Sequence, residues 1–219
     1  MLIIGHRGAA GHLPENTMPS FHKALELGAH GFELDVRVTG DARLVVVHNS
    51  VVGGHAIQTS AYADIQNLPD GYQIPLLEDV LTTFGRRAFL DIEFKTSGFE
   101  EEAIALIQQH CDPAQTMISS FHPQTLLKAR QLAPEIQLGF IYNRTQEEET
   151  RHNCPIEVVV PQFRLASREM IDQVHSEGQR VFAWTVNDPQ EATRLLDLGV
   201  DGLISDYPEM IAGLVKKSR

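Results

Sequence analysis

The sequence predicts an α/β fold, a parallel sheet with helices packed outside it. Three observations carry this reading. Apolar, β-rich runs recur along the whole chain, amphipathic helical patterns lie between many of them, and no linker, repeat or low-complexity tract interrupts the alternation. Alternation of this kind gives parallel sheets, because two parallel neighbours need a crossover segment long enough to hold a helix. A length of 219 residues suits one α/β barrel as well as one or two ordinary domains. The chain reads as one domain over 1–219, with a short insertion at about 49–75.

In chain order, strand candidates stand at 2–4, 32–38, 44–47, 89–94, 116–119, 138–142, 158–160, 180–186 and 202–205. Helical patterns stand at 16–27, 100–109, 124–132, 167–177 and 189–198. In the first, Met18, Phe21, Ala24 and Leu25 share a face and Gly28 ends the run. Ser167 and Asp188 are expected N-caps, whose side-chain oxygens satisfy free N–H groups of the first turn. Gly178 and Gly199 are expected stops. A closed barrel uses eight strands, one fewer than the candidates. Residues 39–43, between the second and third, are too few for a crossover helix, so that corner is expected to be irregular. The stretch 49–75 is rich in Gly, Asp and Asn and holds one weak helical pattern at 62–68. Loops this long in compact domains tend to be functional.

Hydrophobic residues make up 42% of the chain and charged residues 21%, which provides a sizeable core and argues against disorder. The net charge of -11 argues against a nucleic-acid partner, and an anionic substrate would need local positive charge. Cys111 and Cys154 lie far apart without CxxC spacing, which fits a reducing, cytoplasmic setting rather than a disulfide framework or zinc site. The N-terminus lacks a signal-peptide pattern and no run approaches a membrane span, so stable membrane insertion is not expected.

The ionisable residues fall at strand ends. The first run leads directly into His6 and Arg7. FELDV sets Glu33 and Asp35 two apart on a strand, on one face and about 6–7 Å apart at Cα. A purely structural strand would not bury two carboxylates side by side, because unpaired charges are costly. LVVVHN ends in His48, and LDIEFK alternates Asp91, Glu93 and Lys95 with Ile92 and Phe94. If Ile92 and Phe94 face the helices, Glu93 and Lys95 face a barrel mouth, where active sites of such barrels lie. Three carboxylates with open positions suit a hard divalent cation. Arg7 and Lys95 offer positive charge for an anion, and two histidines offer an acid and a base near neutral pH. Together these are the parts for metal-assisted phosphoryl transfer.

The segments HRG, PENT, FELDV, VVVHN, LDIEFK, ISSF, AWTVN and DGLISDYP, in that order across residues 2–208, resemble the glycerophosphodiester phosphodiesterases. The resemblance implies a (β/α)8 TIM barrel, irregular around its second and third strands. It implies hydrolysis of glycerophosphodiesters to glycerol 3-phosphate and an alcohol, with a divalent metal ion (Mg2+, Ca2+ or Mn2+). Carried over residue by residue, His6 and His48 look like the catalytic pair, and Glu33, Asp35 and Glu93 like metal ligands. Arg7 and Lys95 look like phosphate binders, Glu15 and Asn16 like supports of the first motif, and Trp184 like a wall near the glycerol. Two departures matter. The family's third motif usually reads His-Asp, and here it is His48-Asn49. Its usual longer insertion with an Arg-Thr-Thr motif is here the shorter SVVGGHAIQTSAYADIQNL, so the reaction class transfers better than the substrate.

Plainer readings stand beside these. Glu15 would serve equally as a cap for the helix at 16, Asp91 as an ordinary strand-start residue, and Trp184 as core. Ser120 is a possible substrate contact, and His122 before Pro123 reads as a turn residue. Asp206, after the last strand, reads as closing the fold, and residues 147–149 as a solvated helix face. The remaining histidines, such as His12, His30 and His175, are assigned to loops and helix surfaces. Rival functions are a related phosphodiesterase acting on a lysophospholipid or other phosphodiester, a non-catalytic glycerophosphodiester-binding barrel, and a sugar-phosphate isomerase-type barrel without a metal triad. The cyclic-phosphate route and direct water attack also stay open.

Overall fold

The structure, a computed structural model, describes residues 1–68 and 71–217. Its strands are β1 (Leu2–Gly5), β2 (Gly31–Val38), β3 (Leu44–Val46), β4 (Val51–Val52), β5 (His55–Ala56), β6 (Phe89–Phe94), β7 (Thr116–Ser120), β8 (Gln137–Tyr142), β9 (Val158–Pro161), β10 (Arg180–Ala183) and β11 (Gly202–Ser205). The helices are α1 (Met18–Glu26), α2 (Tyr62–Ile65), α3 (Leu77–Phe84), α4 (Glu100–His110), α5 (Pro123–Leu132), α6 (Arg168–Ser176), α7 (Pro189–Leu198) and α8 (Pro208–Lys217). Eight of the strands pair in parallel in the order β1-β2-β6-β7-β8-β9-β10-β11, and β11 closes on β1 with Ile4 opposite Ile204. The fold is the expected (β/α)8 TIM barrel.

The ninth strand candidate does not enter the ring. β3 folds back antiparallel on the outer end of β2, with Val36 opposite Val46 and Val38 opposite Leu44. A five-residue turn suffices for that, where a parallel neighbour would need a crossover. Thr39 Oγ1 fixes the turn by accepting from the Arg43 N–H at 2.9 Å. The insertion that follows has its own small apolar core of Val45, Val47, Ile57, Ile65 and Ile74. That core holds the His48 loop to the barrel rim.

Strand periodicity sorts the remaining side chains. On β6, Leu90, Ile92 and Phe94 face outward into the buried layer shared with the helices, where Phe21 stacks on Phe32 with centroids 4.3 Å apart. Ile4, Phe89, Met117, Ile141, Val158, Val160, Phe182 and Ile204 fill the barrel interior. Phe89 and Phe182 meet edge to face there, centroids 6.1 Å apart. This plug makes the barrel a packed core and leaves only its upper end for chemistry.

Several boundaries differ from the sequence pattern. α1 starts at Met18 rather than at residue 16, because Asn16 takes a left-handed backbone and Thr17 is the cap, accepting from the Ser20 N–H. The pattern at 62–68 is helical only over α2, and the strand expected at 180–186 ends at Ala183, with Trp184 making a single bridge to Gln162. The caps at Ser167 and Asp188 and the left-handed glycines 178 and 199 are as expected. Helices α3 and α8 lie outside the helical patterns of the sequence, although Leu77, Val80, Leu81 and Phe84 recur at helical spacing and are all buried. Residues 147–149 lie in a 3-10 helix, Thr145–Asn153, and their side chains lie outside the described part.

Candidate active site

The upper barrel end holds a cavity lined by His6, Arg7, Glu33, His48, Asp91, Glu93, Lys95, Asn143 and Trp184 together with Phe121 and the aliphatic Ile141, Val160 and Ile204. Asp35 lies beside it, joined to Arg7 and Lys95. His6, Arg7, Glu33, Asp35, His48, Glu93 and Lys95 thus meet in one place.

The HRG turn is built for this. Gly8 has φ +89°, and a Cβ there would come within 2.4 Å of Ser20 Oγ, so the chain leaves β1 packed directly on α1. Arg7 is itself left-handed at φ 51°, and so is Asn16 at φ 57°. A left-handed arginine costs about 1–3 kcal/mol and persists only where its surroundings fix it. Here the Arg7 N–H donates to Glu33 Oε2 at 2.8 Å, and Nη1 donates to Glu15 Oε2 at 2.8 Å. Arg7 Nε lies 3.2 Å from Asp35 Oδ2, and the Asn16 N–H donates to the Arg7 carbonyl. Asn16 Nδ2 donates to Asp35 Oδ2 at 2.7 Å. Glu15 therefore holds Arg7 and is not the helix cap.

Four buried carboxylates, Glu33, Asp35, Asp91 and Glu93, face the cations of Arg7 and Lys95. Lys95 Nζ donates to Glu93 Oε1 at 2.6 Å and lies 3.3 Å from Asp35 Oδ1. Burial pushes Asp35 up, but Lys95, Arg7 and the Asn16 hydrogen bond outweigh it and hold this carboxyl below its usual range. Glu33 is pushed well above the usual range by burial and by Asp35 and Glu93. Glu93 is pushed up to about 7 by burial and by Asp35, against Lys95. Glu33, Asp35 and Glu93 each offer an oxygen within 4.8 Å of the others, and Glu33 Oε1 is buried with no hydrogen-bond partner. A surplus of buried negative charge, all-oxygen donors and an orphaned oxygen fit a hard divalent cation.

The two histidines are held differently. His6 Nδ1 lies 2.7 Å from Asp206 Oδ1, and Asp206 is in turn held by Asn187 Nδ2. Burial raises the Asp206 carboxyl, and the His6 hydrogen bond more than offsets it, leaving it below its usual value. Asp206 thus lies at the site as well as where the fold closes. Barrel closure explains this, since β11 beside β1 puts residue 206 next to residue 6. His48 Nδ1 lies 3.1 Å from Asn49 Oδ1 and its carbonyl accepts from Arg37 Nε at 2.8 Å. Burial, then Arg7 and Lys95, hold the His48 imidazole below its usual value, against the pull of Asp35 and Asn49.

Trp184 is half-buried in the cavity wall, its Nε1 donating to the Val160 carbonyl at 3.0 Å and its ring edge to face with Phe121 at 5.6 Å. Ser120 is tied up structurally: its Oγ donates to the Phe94 carbonyl and accepts from the His122 N–H, which precedes α5. His12 pairs with Glu209, His175 with Asp201, and His30 Nδ1 accepts from the Ile3 N–H.

The chain matches the model of the glycerophosphoryl diester phosphodiesterase family over residues 6–210. It is 32% identical over 238 residues to a glycerophosphodiester phosphodiesterase of Caldanaerobacter subterraneus subsp. tengcongensis, covering 99% of this chain and 98% of that one. It is 30% identical to a glycerophosphodiester phosphodiesterase of Bacillus altitudinis, covering 94% of this chain and 95% of that one. Among solved structures it is similar to an Oleispira antarctica phosphodiesterase in complex with the product sn-glycerol-3-phosphate (TM-score 0.87, 28% identity, 99% of this chain and 97% of that one). A Thermotoga maritima glycerophosphodiester phosphodiesterase is also similar (TM-score 0.80, 26% identity, 100% and 99%). A family match across nearly the whole chain, on a barrel whose upper end gathers the matching motifs, makes this chain a phosphoric diester hydrolase that belongs to the glycerophosphoryl diester phosphodiesterase family.

Proposed function

We propose that the protein hydrolyses glycerophosphodiesters to glycerol 3-phosphate and an alcohol by His6/His48 acid–base catalysis, with residues 1–219 as one catalytic domain. The observation that carries this is the pair of imidazoles facing one cavity, each with Nδ1 turned to an acceptor, Asp206 for His6 and Asn49 for His48. Each Nε2 is then available to substrate. Arg7 and Lys95 bind the phosphate, and Trp184 forms the wall beside the glycerol. Glu33, Asp35 and Glu93 would hold a divalent cation, Mg2+, Ca2+ or Mn2+, which when bound supplies Lewis-acid stabilisation of charge on the phosphate oxygens.

We read the two roles from the surroundings of His48. Burial, with Arg7 and Lys95 nearby, favours neutral His48, the form that accepts a proton, and leaves His6, backed by Asp206, as the proton donor. His48 Nε2 takes the proton of the glycerol hydroxyl vicinal to the ester. That oxygen bonds to phosphorus as the bond to the alcohol breaks, and His6 delivers its Nε2 proton to the departing oxygen. Water then opens the cyclic phosphate with the two histidines in reversed roles. Tethering of the nucleophile favours this route. Two free, buried cysteines fit a reducing, cytoplasmic setting. The test is phosphorus NMR of a panel of glycerophosphodiesters with and without each metal. Glycerol 3-phosphate is the expected product, and no turnover of any member would defeat the reading.

A further inference from the structure

Asp91 is a buried carboxylate of the cavity that has no part in the reaction described so far. It shares the inward face of β6 with Glu93 and Lys95, and its register partner on β2 is Glu33. Successive inward residues lie about 6–7 Å apart, so Asp91 sits one layer below Glu93. It is 1% exposed. Oδ1 accepts from Ser119 Oγ at 2.6 Å, and Oδ2 is buried with no hydrogen-bond partner. Leaving such an oxygen unpaired costs about 1–3 kcal/mol, and unpaired buried groups are rare enough to need a reason. The aliphatic wall of the cavity, Ile141, Val160 and Ile204, supplies no donor.

In its ionised form Asp91 only accepts, so the partner that Oδ2 lacks is a donor. It is not an anion, which three neighbouring carboxylates repel. It is not the cation already considered, because that oxygen triangle is formed by Glu33, Asp35 and Glu93 without Asp91. A neutral hydroxyl fits. We propose that Asp91 Oδ2 accepts a hydrogen bond from the substrate's second glycerol hydroxyl, the one that does not attack phosphorus, and so selects glycerol over less hydroxylated alcohols. The proposal rests on the reaction proposed above. A three-carbon unit hanging from a phosphate held by Arg7 and Lys95 reaches the layer below, where Ser119 keeps the carboxylate oriented.

The experiment compares a glycerophosphodiester with its propane-1,2-diol analogue, which keeps the vicinal nucleophile and lacks the terminal hydroxyl. The ratio of the two kcat/KM values is measured for the metal-loaded wild-type enzyme, Asp91→Ala and Asp91→Asn. A site that hydrogen-bonds a substrate hydroxyl rejects the analogue lacking it, here by about a hundredfold or more in the wild type. Asp91→Ala should bring the ratio below about ten by slowing the glycerol substrate alone, and Asp91→Asn, which keeps an acceptor oxygen, should retain most of the preference. A folded Asp91→Ala enzyme with an unchanged ratio, or with equal losses on both substrates, overturns the proposal. If Asp91→Ala does not fold, wild-type inhibition by glycerol 3-phosphate and by propane-1,2-diol phosphate decides, and equal inhibition constants overturn it. A wild-type enzyme inactive on both diesters would instead overturn the reaction itself, and this selection with it.

Discussion

The two halves of the barrel mouth are built on opposite terms. β1, β2 and β6, with the residues just past β1 and β6, present His6, Arg7, Glu33, Asp35, Glu93 and Lys95, nearly all paired to one another. On the other side, β8, β9 and β11 present Ile141, Val160 and Ile204 to the same cavity, and Trp184 stands just past β10. The charged half is a network in which every group is held by a neighbour, so losing one group leaves buried partners unpaired. The apolar half is held by packing, which tolerates changes of shape at modest cost. Chemistry is expected to depend steeply on the first and substrate preference gradually on the second.

The largest expected break is removal of the cation. Chelation should abolish hydrolysis, and Mg2+, Mn2+ or Ca2+ should restore it, because the buried carboxylates around Glu33, Asp35 and Glu93 outnumber the two cations, Arg7 and Lys95, that face them. Full turnover in exhaustively chelated enzyme would reduce the cluster to a structural feature. Next come His6→Ala and His48→Ala, each lowering kcat by at least about a hundredfold, the usual scale for a positioned acid or base. The double variant should lose less than the product of the single losses, since the pair acts as a unit. Near-normal turnover of either folded variant would remove that histidine from the mechanism.

Asp206→Asn sharpens the contrast inside the charged half. It leaves the hydrogen-bonding shape behind His6 but removes the charge, and kcat should fall by about tenfold or more while KM changes little. Asn49→Asp should change kcat less, because His48 is already held by its loop and by Arg37. Equal effects of the two substitutions would argue against the assigned roles.

The same half should show in stability. Asp91 and Glu93 are each raised to about 7 in the metal-free fold, burial being the first cause of both. A carboxyl with a raised folded pKa binds its proton more tightly in the folded state, so its stabilisation is complete below the unfolded pKa near 4 and is lost as pH rises toward 7. The melting temperature of metal-free protein should therefore fall between about pH 4 and 7, and saturating metal should flatten that slope. A metal-free melting temperature that rises over this window would contradict the described electrostatics.

The sequence made the charged half legible and much of the other half not. Alternation at Glu33/Asp35 and at Glu93/Lys95 is a local pattern that survives without a structure. Asp206 is 200 residues from His6 in sequence, and only barrel closure brings them together. Its position after the last strand was the available signal, since in a closed barrel the last strand borders the first. The Asp91–Ser119 pair needs the β6–β7 register, which sequence does not set. β3 was visible as a strand, but its antiparallel return emerges only from the short turn and the core under the insertion.

The smallest expected effect belongs to the apolar half. Trp184 meets Phe121 edge to face, and Lys95 Nζ lies 5.7 Å above the Phe121 ring, so the aromatic pair joins the two halves. Trp184→Phe keeps a ring against Phe121 and loses only the Nε1 hydrogen bond to Val160, which is worth about 1 kcal/mol. KM should rise about two- to fivefold, with kcat within about a factor of two. Trp184→Ala removes the wall itself and should raise KM by about tenfold or more, still without the loss of kcat expected for either histidine. If Trp184→Phe instead lowers kcat as far as His6→Ala does, the apolar half also positions the reacting groups. The contact from Trp184 through Phe121 to Lys95 would then be the path by which it does so.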